Sequence, residues 1–291
     1  MPIPAAEKLR ATHRRGAHPK VIVVMPAYNA AATLEATYHA IDPRGLDEII
    51  LVDDCSQDET VAVAEKLALH VIRHAQNLGY GGNQKTCYQE ALRRGADIVV
   101  MLHPDGQYDP TLLPKLIQPL AEGRADIVLG SRFLIPGGAR RGGMPLYRFL
   151  ANRFLTFCEN LVLRQRLSEY HTGYRAYSRA FLEAVPFQQN ADGFCFDTEI
   201  LVQTFAFRQR LVEIPITTKY FPGASSASLG QCVIYGLMTL LTLIKFLLYR
   251  WRLYTSPLFV GPYEYKTEPQ KTKADFQRVK NGQRIKTILA K

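Results

Sequence analysis

The chain predicts an α/β fold with a mostly parallel, twisted sheet flanked by helices, and three observations carry that reading. Short β-branched runs alternate with helical stretches through the first half. The runs are apolar without alternation, as in strands covered on both faces. Polar clusters follow several runs, where open α/β sheets place their ligands.

Each element follows from its residues. "KVIVVMP" (20–26) reads as a strand and "AATLEATYHAI" (31–41) as a helix. "EIILVDD" (48–54) is a second strand and "ETVAVAEKLA" (59–68) a second helix. "HVIRH" (70–74) is a short strand, and "GGNQKTCYQEALRRG" (81–95) a helix stopped by its terminal glycine. "DIVVML" (97–102), a helix near 111–122 and "ADIVLG" (125–130) complete the series.

A chain of 291 residues can bury a full core, and 47% hydrophobic content excludes both disorder and a polytopic membrane protein. The net charge of +10 is carried by the ends: residues 1–20 hold five Lys or Arg against one acid, and 263–291 hold eight against three. The body is near neutral, so the ends read as solvated basic tails, and no aromatic-interleaved basic surface points to nucleic acid. Five scattered cysteines without a CxxC pair suit a reducing compartment. With no apolar h-region before Val21, the expectation is cytoplasmic.

Three polar clusters fall at strand ends: "PAYN" (26–29), "DDCSQD" (53–58) and "HPDGQYD" (103–109). The last suits a tight turn through Pro104, Asp105 and Gly106, yet three converging edges favour a shared pocket. Asp54 can accept from a ribose hydroxyl or a base N–H, with N-capping of the following helix as the alternative for one of Asp53 and Asp54. Asp105 and Gln107 can present oxygen to Mg²⁺ or Mn²⁺. "NLGYGGNQ" (77–84) lacks G-x-G-x-x-G and reads as a tight loop opening a helix.

The motifs "VVMPAYNAA", "LVDDCSQDET", "NLGYGGNQ", "HPDGQYDP", "GSRF" and "HTGYRAYSR" come in an order that resembles family-2 glycosyltransferases of the GT-A fold. The branch is that of dolichol-phosphate mannose and glucose synthases, and the resemblance covers residues 20–230. It implies that Pro26, Tyr28, Val52 and Asp54 line the nucleotide, joined by His103 and Pro104. It further implies Asp105 as the second acid of the D-x-D metal motif with Gln107 as companion, and Arg132 near the phosphates. The implied reaction moves a hexose from a UDP- or GDP-sugar with inversion, using a divalent cation.

Three departures stand against a simple transfer. Ala30 occupies a position where the branch has Glu, and His103 stands where the first Asp of D-x-D belongs, where a neutral imidazole either ligates Mn²⁺ or packs beside the nucleotide, with packing the preferred reading. After "EIPI" the mannose synthases carry an Arg and a Lys, whereas this chain offers Lys219, with Tyr220 and Ser226 near the expected sites. Arg175 joins these as a candidate cation on the acceptor side. Asp197 in "GFCFDTEIL" is the candidate general base for a hydroxyl acceptor, with helix capping as its alternative; a phosphate acceptor needs no base.

Residues 233–254 are the most hydrophobic segment, but the apolar core is about sixteen residues where a span needs about twenty. Tyr235, Thr239, Thr242, Lys245, Tyr249 and Arg252 form one polar stripe, and 145–163 repeats the design with Arg148, Asn152, Thr156 and Glu159. The expected organisation is a basic tail (1–19), a GT-A domain (20–230), an amphipathic membrane-interface helix (231–254) and a second basic tail (255–291). The expected activity is transfer to a polyprenyl phosphate or other lipid-linked acceptor by a peripheral protein at the cytoplasmic face of a membrane. The alternatives are a soluble transferase acting on a small molecule or polysaccharide, and a degenerate nucleotide-sugar-binding scaffold.

Overall fold

The computed structural model describes residues 18–220 and 229–261. Seven strands form one sheet: β1 (Val21–Ala27), β2 (Glu48–Asp53), β3 (His70–Arg73), β4 (Ile98–Met101), β5 (Ile127–Ser131), β6 (Arg175–Ser178) and β7 (Leu211–Pro215). Their order is β3-β2-β1-β4-β6-β5-β7. All neighbours are parallel except β6, which runs antiparallel to β4 on one side and to β5 on the other. The sequence reading placed no strand there, because "RAYS" is short and opens on an arginine.

The helices are α1 (Ala31–His39), α2 (Thr60–Lys66), α3 (Gly79–Arg93), α4 (Leu113–Ala121), α5 (Gly138–Arg141), α6 (Leu146–Leu163), α7 (Arg179–Ala184), α8 (Phe196–Ala206) and α9 (Leu229–Arg250). Alternate residues of β1 serve opposite faces of the sheet. Val21, Val23 and Met25 pack with Leu34 of α1, Ala64 of α2 and Leu116 of α4. Ile22 and Val24 join Tyr88 of α3, Phe196 and Ile200 of α8, and Leu243 and Phe246 of α9. Both faces are covered, which is why the strands read as unbroken apolar runs.

The second basic tail begins later than residue 255. Pro257–Phe259 form a 3-10 turn with Leu258 and Phe259 buried, and Phe259 meets the rings of Phe246 and Tyr249 on α9.

The helices at 146–163 and 229–250 reverse the usual arrangement of an amphipathic surface helix. Thr239 and Thr242 are buried: Thr239 Oγ1 lies 3.1 Å from Thr198 Oγ1, and Thr242 Oγ1 lies 3.4 Å from Cys195 Sγ, both on or beside α8. On α6, Asn152, Thr156 and Glu159 are buried as well. The apolar residues point outward instead: Leu146, Leu150, Phe154, Phe157 and Leu161 on α6, and Val233, Ile234, Leu237, Leu241 and Ile244 on α9. Phe157 and Leu161 keep 65% and 69% of their surface exposed, so this is a continuous apolar flank and not a scatter of partly covered groups.

Helix α8 opens with Cys195 at its N-cap and no side-chain cap, so Asp197 lies inside the first turn and does not cap it. Glu199, also in that turn, accepts the Ala191 N–H at 2.6 Å. Burial pushes the Glu199 carboxyl above its ordinary value, against that hydrogen bond and the attraction of Lys245 and Lys85. A raised folded-state value means the charged form opposes folding above the ordinary carboxyl range, a cost that vanishes once both states are protonated. Glu199→Gln keeps an oxygen for the Ala191 N–H. It is expected to raise the melting temperature at pH 7 and to lose that advantage at about pH 4, which melting curves at the two pH values will show.

Candidate active site

The strand order reverses between β1 and β4, and a cleft of about 670 Å³ opens at the carboxyl ends of the strands around that point. Pro26, Tyr28, Asp54, His103, Pro104, Asp105, Gln107, Arg132, Asp197 and Tyr220 all line it. The three polar clusters therefore do converge.

The loops after β1 and β2 are locked together by side chains. Asn29 N donates to Ser56 Oγ, Ala30 N to Thr60 Oγ1 and Ala31 N to Asp58 Oδ2, so the second loop caps α1 from across a gap in sequence. Asp53 and Asp54 do not cap α2; Asp58 Oδ1 accepts the Thr60 N–H instead. Asp53 Oδ2 takes the Ser56 N–H at 3.1 Å. Asp54 holds the start of α3: Oδ1 accepts from Leu78 N and Oδ2 from Gly79 N, at 2.8 and 3.0 Å, while His74 Nδ1 lies 2.7 Å from Oδ1. The glycine-rich segment does open a helix, two residues earlier than expected.

Beyond β4, Asp105 Oδ1 accepts the Gln107 N–H at 2.9 Å, so the turn reading of this stretch holds. The carboxylate is half-buried on the cleft with its orientation fixed by the turn. His103 is stacked on Tyr80 with centroids 5.5 Å apart and its Nε2 3.3 Å from Tyr80 Oη, and it tilts against Tyr108. Burial lowers its basicity below the ordinary imidazole value, against the charges of Asp105 and Asp197, which keeps the ring neutral.

Arg132 faces the cleft while gripping Glu169: its Nε lies 2.8 Å from Oε1 and its backbone N 2.8 Å from Oε2. Its guanidinium also donates to Tyr220 Oη and to the His171 carbonyl, and Asn152 Nδ2 gives Glu169 a further bond at 2.9 Å. Asp197 receives Tyr80 Oη–H at 2.8 Å and Gln84 Nε2–H at 3.2 Å and pairs with Arg175 at 3.2 Å. The wall opposite the strand ends comes from α6 and α9, through Asn152, Leu155 and Tyr235.

Three expected site residues are elsewhere. Val52 is fully buried in the core under α3, because its strand position points it away from the cleft and only its carbonyl serves the site, by accepting from Asn83. Arg175 cannot offer its charge to an acceptor: it is fully buried, with Thr172 O, Tyr170 O and Asp197 as partners. Lys219 does not line the cleft, and its N–H donates to Gln107 O; Ser226 lies outside the described residues. The reading missed Tyr80, Glu169, His171 and Tyr235. Tyr80 sits in the glycine-rich segment, His171 opens "HTGYRAYSR" and Tyr235 is on the polar stripe, so three signals were present, while Glu169 had no pattern of its own.

The glycines of α3 serve close approach. Gly81 N and Gly82 N donate to Asp192 O, and a Cβ on Gly81 would meet Ala191 O at 2.3 Å and Phe196 Cβ at 2.8 Å. Gly81→Ala is expected to displace the 191–196 loop and with it Asp197. Thermal stability should drop, which melting of the variant will register.

A mostly parallel sheet reversed around a strand-end cleft is the architecture that the sequence reading expected of the GT-A fold. The glycosyl transferase family 2 model matches residues 22–185, and the chain belongs to that family of glycosyltransferases. It is 27% identical over 241 residues to the UDP-N-acetylglucosamine–dolichyl-phosphate N-acetylglucosaminyltransferase of Methanococcus voltae, covering 76% of this chain and 95% of that protein. It is 30% identical over 205 residues to the undecaprenyl-phosphate mannosyltransferase of Micrococcus luteus, covering 68% and 83%. Among solved structures, the fold matches glucosyl-3-phosphoglycerate synthase from Mycobacterium tuberculosis in complex with uridine-diphosphate, with TM-score 0.62, 22% identity and coverage of 88% and 86%.

Proposed function

We propose that the chain transfers a hexose from a UDP- or GDP-sugar to a polyprenyl phosphate, with inversion, as a peripheral protein on the cytoplasmic face of a membrane. One observation carries this reading: the cleft lies between the strand ends and the two helices whose outer flanks are apolar and exposed. A water-soluble acceptor needs no such flank. The polyprenyl- and dolichyl-phosphate relatives support the same acceptor class.

On the donor side, Pro26 and Tyr28 border the nucleotide, and Asp54 contacts it while capping α3. Asp105 and Gln107 fit Mg²⁺ or Mn²⁺: both offer hard oxygen, and the turn presets the carboxylate. Among the described residues no three His, Cys, Asp or Glu side chains gather at one point, which suits an ion that takes its other ligands from diphosphate and water. When bound, the ion neutralises the diphosphate and eases its departure. Arg132 adds positive charge, and the acceptor phosphate attacks from the side of Tyr220, Arg132 and the helical wall. Asp197, kept in its ion pair with Arg175, stays beside the cleft as the base that a hydroxyl acceptor would need.

Helix Gly230–Arg250 is the one among the described residues long and apolar enough to cross a membrane. Its docking to α8 and to the turn at 257–259, from Tyr235 through Tyr249, favours lying along the surface instead. Five free cysteines suit the cytoplasmic side.

Incubating the protein with membranes, Mg²⁺ or Mn²⁺ and a panel of labelled nucleotide-sugars tests the reaction; label in lipid is expected, and label only in water-soluble product refutes it. Asp105→Ala should lower kcat by a factor on the order of 10² or more with the fold intact by circular dichroism, and EDTA should do the same to the wild type. For the membrane, Phe157→Ser with Leu161→Ser should weaken vesicle binding at least about tenfold, the factor that losing ~1.4 kcal/mol of apolar burial gives, measured by co-sedimentation.

A further inference from the structure

Away from the cleft, a second cavity of about 510 Å³ opens where α6, α8 and α9 end against the start of β7. Leu163, Leu167, Phe205, Leu211 and Phe246 form its apolar lining. Three arginines share the wall: Arg208 after α8, Arg210 before β7 and Arg250 in the last turn of α9. No Asp or Glu lines it among the described residues.

The arginines are not equally engaged. Arg210 is taken up by Asp126, with Nη2 2.8 Å from Oδ1, and by Gly123 O. Arg208 and Arg250 are exposed, and their guanidiniums have no carboxylate or other hydrogen-bond partner among the described residues. Glu213, the nearest acid along β7, accepts from the backbone N–H groups of Ser168 and Glu169 instead. Two guanidiniums over an apolar cavity with no acid in its wall are the complement of an anion that carries hydrocarbon. The chain's own continuation is a poor match for them. A Cβ on Gly261 would meet Phe207 at 3.6 Å, so the chain passes beside Arg208, but residues 263–291 hold eight Lys or Arg against three acids.

Position says which anion. Helices α6 and α9 wall the cleft through Leu155 and Tyr235 and reach this cavity through Leu163 and Phe246, about 12 to 16 Å further along at 1.5 Å per residue. Their exposed apolar flanks run between the two, and on α9 that face continues past Ile244 to the exposed Trp251, next to Arg250. Arginine and tryptophan at the end of an apolar flank stand at headgroup level when the flank lies on a bilayer. The cytoplasmic leaflet supplies anionic headgroups at that level.

We propose that this cavity binds an anionic glycerophospholipid, its phosphate between Arg208 and Arg250 and its hydrocarbon against Leu163, Phe205 and Phe246. The lipid is neither donor nor acceptor in the transfer. It holds the far end of the helix pair and so fixes how the cleft meets the membrane. The proposal rests on the membrane-surface reading above and adds to it a site for one class of lipid.

Calorimetry with dihexanoyl phosphatidylglycerol below its micelle concentration tests the site without a membrane surface. One lipid per chain should bind, and Arg208→Gln with Arg250→Gln should weaken it at least about tenfold, the effect of losing a hydrogen bond to a charged group. Arg164→Gln with Arg166→Gln removes the same charge from exposed positions near the end of α6 that do not line the cavity. That pair should leave binding within about twofold, the scatter expected of untouched contacts. Vesicles then separate this proposal from the reading beneath it. Phosphatidylcholine vesicles should bind the wild type through its flank, and adding phosphatidylglycerol should tighten binding. The Arg208 and Arg250 variant should lose that gain and keep its nucleoside diphosphate affinity. Equal losses from the two arginine pairs mark diffuse charge and overturn the proposal. Inorganic phosphate that binds as tightly as the lipid marks a free-anion site and overturns it too. A chain that ignores both kinds of vesicle overturns the membrane reading and this proposal together; one that binds both kinds equally, with the Arg208 and Arg250 variant indifferent, overturns this proposal alone.

Discussion

A guanidinium with no access to water must be surrounded by oxygen, and around Arg175 that requirement organises the side of the cleft formed by β6 and α8. Its Nε reaches Thr172 O and its two terminal nitrogens reach Tyr170 O and Asp197, so one side chain in β6 ties down the loop before its own strand and the first turn of α8. Asp197, held there, receives Tyr80 and Gln84 from α3. The helix that Asp54 starts is thereby joined to α8 across the cleft. Removing either member of the buried pair would strand the other charge, which makes the cleft geometry cooperative and not a sum of separate loops.

The convergence of the clusters after β1, β2 and β4 was legible because its signals are local. β-branched runs mark β1, β2 and β4, and polar residues immediately after them have to fall at the carboxyl edge once the sheet is parallel. The part of the cleft built around β6 and α8 was not legible, because it depends on long-range pairing. β6 is four residues long and antiparallel, and nothing in "RAYS" says that it inserts between β4 and β5. Once it does, Arg175 is carried into the interior, and a residue read as an available cation becomes an internal tie. Val52 failed for a related reason: a strand of period two sends neighbouring residues to opposite faces, and one polar cluster does not say which residue faces the ligand.

The helical stripes show a different limit. Periodicity reveals that a helix has two faces but not which one meets the protein. Thr239, Thr242, Asn152 and Glu159 look like a wet face in sequence, yet they meet α8 and the loop before β6, leaving the larger apolar residues outside. A polar inner face and an apolar outer face is the arrangement expected where the surroundings are hydrocarbon and the interior supplies the hydrogen bonds.

Asp54 carries a consequence for how this protein can change. Its carboxylate closes the first turn of α3 through two backbone N–H groups and meets His74 besides, while the residue lines the cleft. On the proposed function, recognition and scaffolding share the same oxygens. Selection or design that aims to alter the base or ribose preference therefore meets a stability penalty at this position before any change of preference is felt. The positions left adjustable are those that border the ligand without holding up a helix, Tyr28 at the exposed mouth among them. Diversity of donor among chains built this way is accordingly expected to accumulate around the rim of the cleft, with the acid at its floor held constant by the helix it starts.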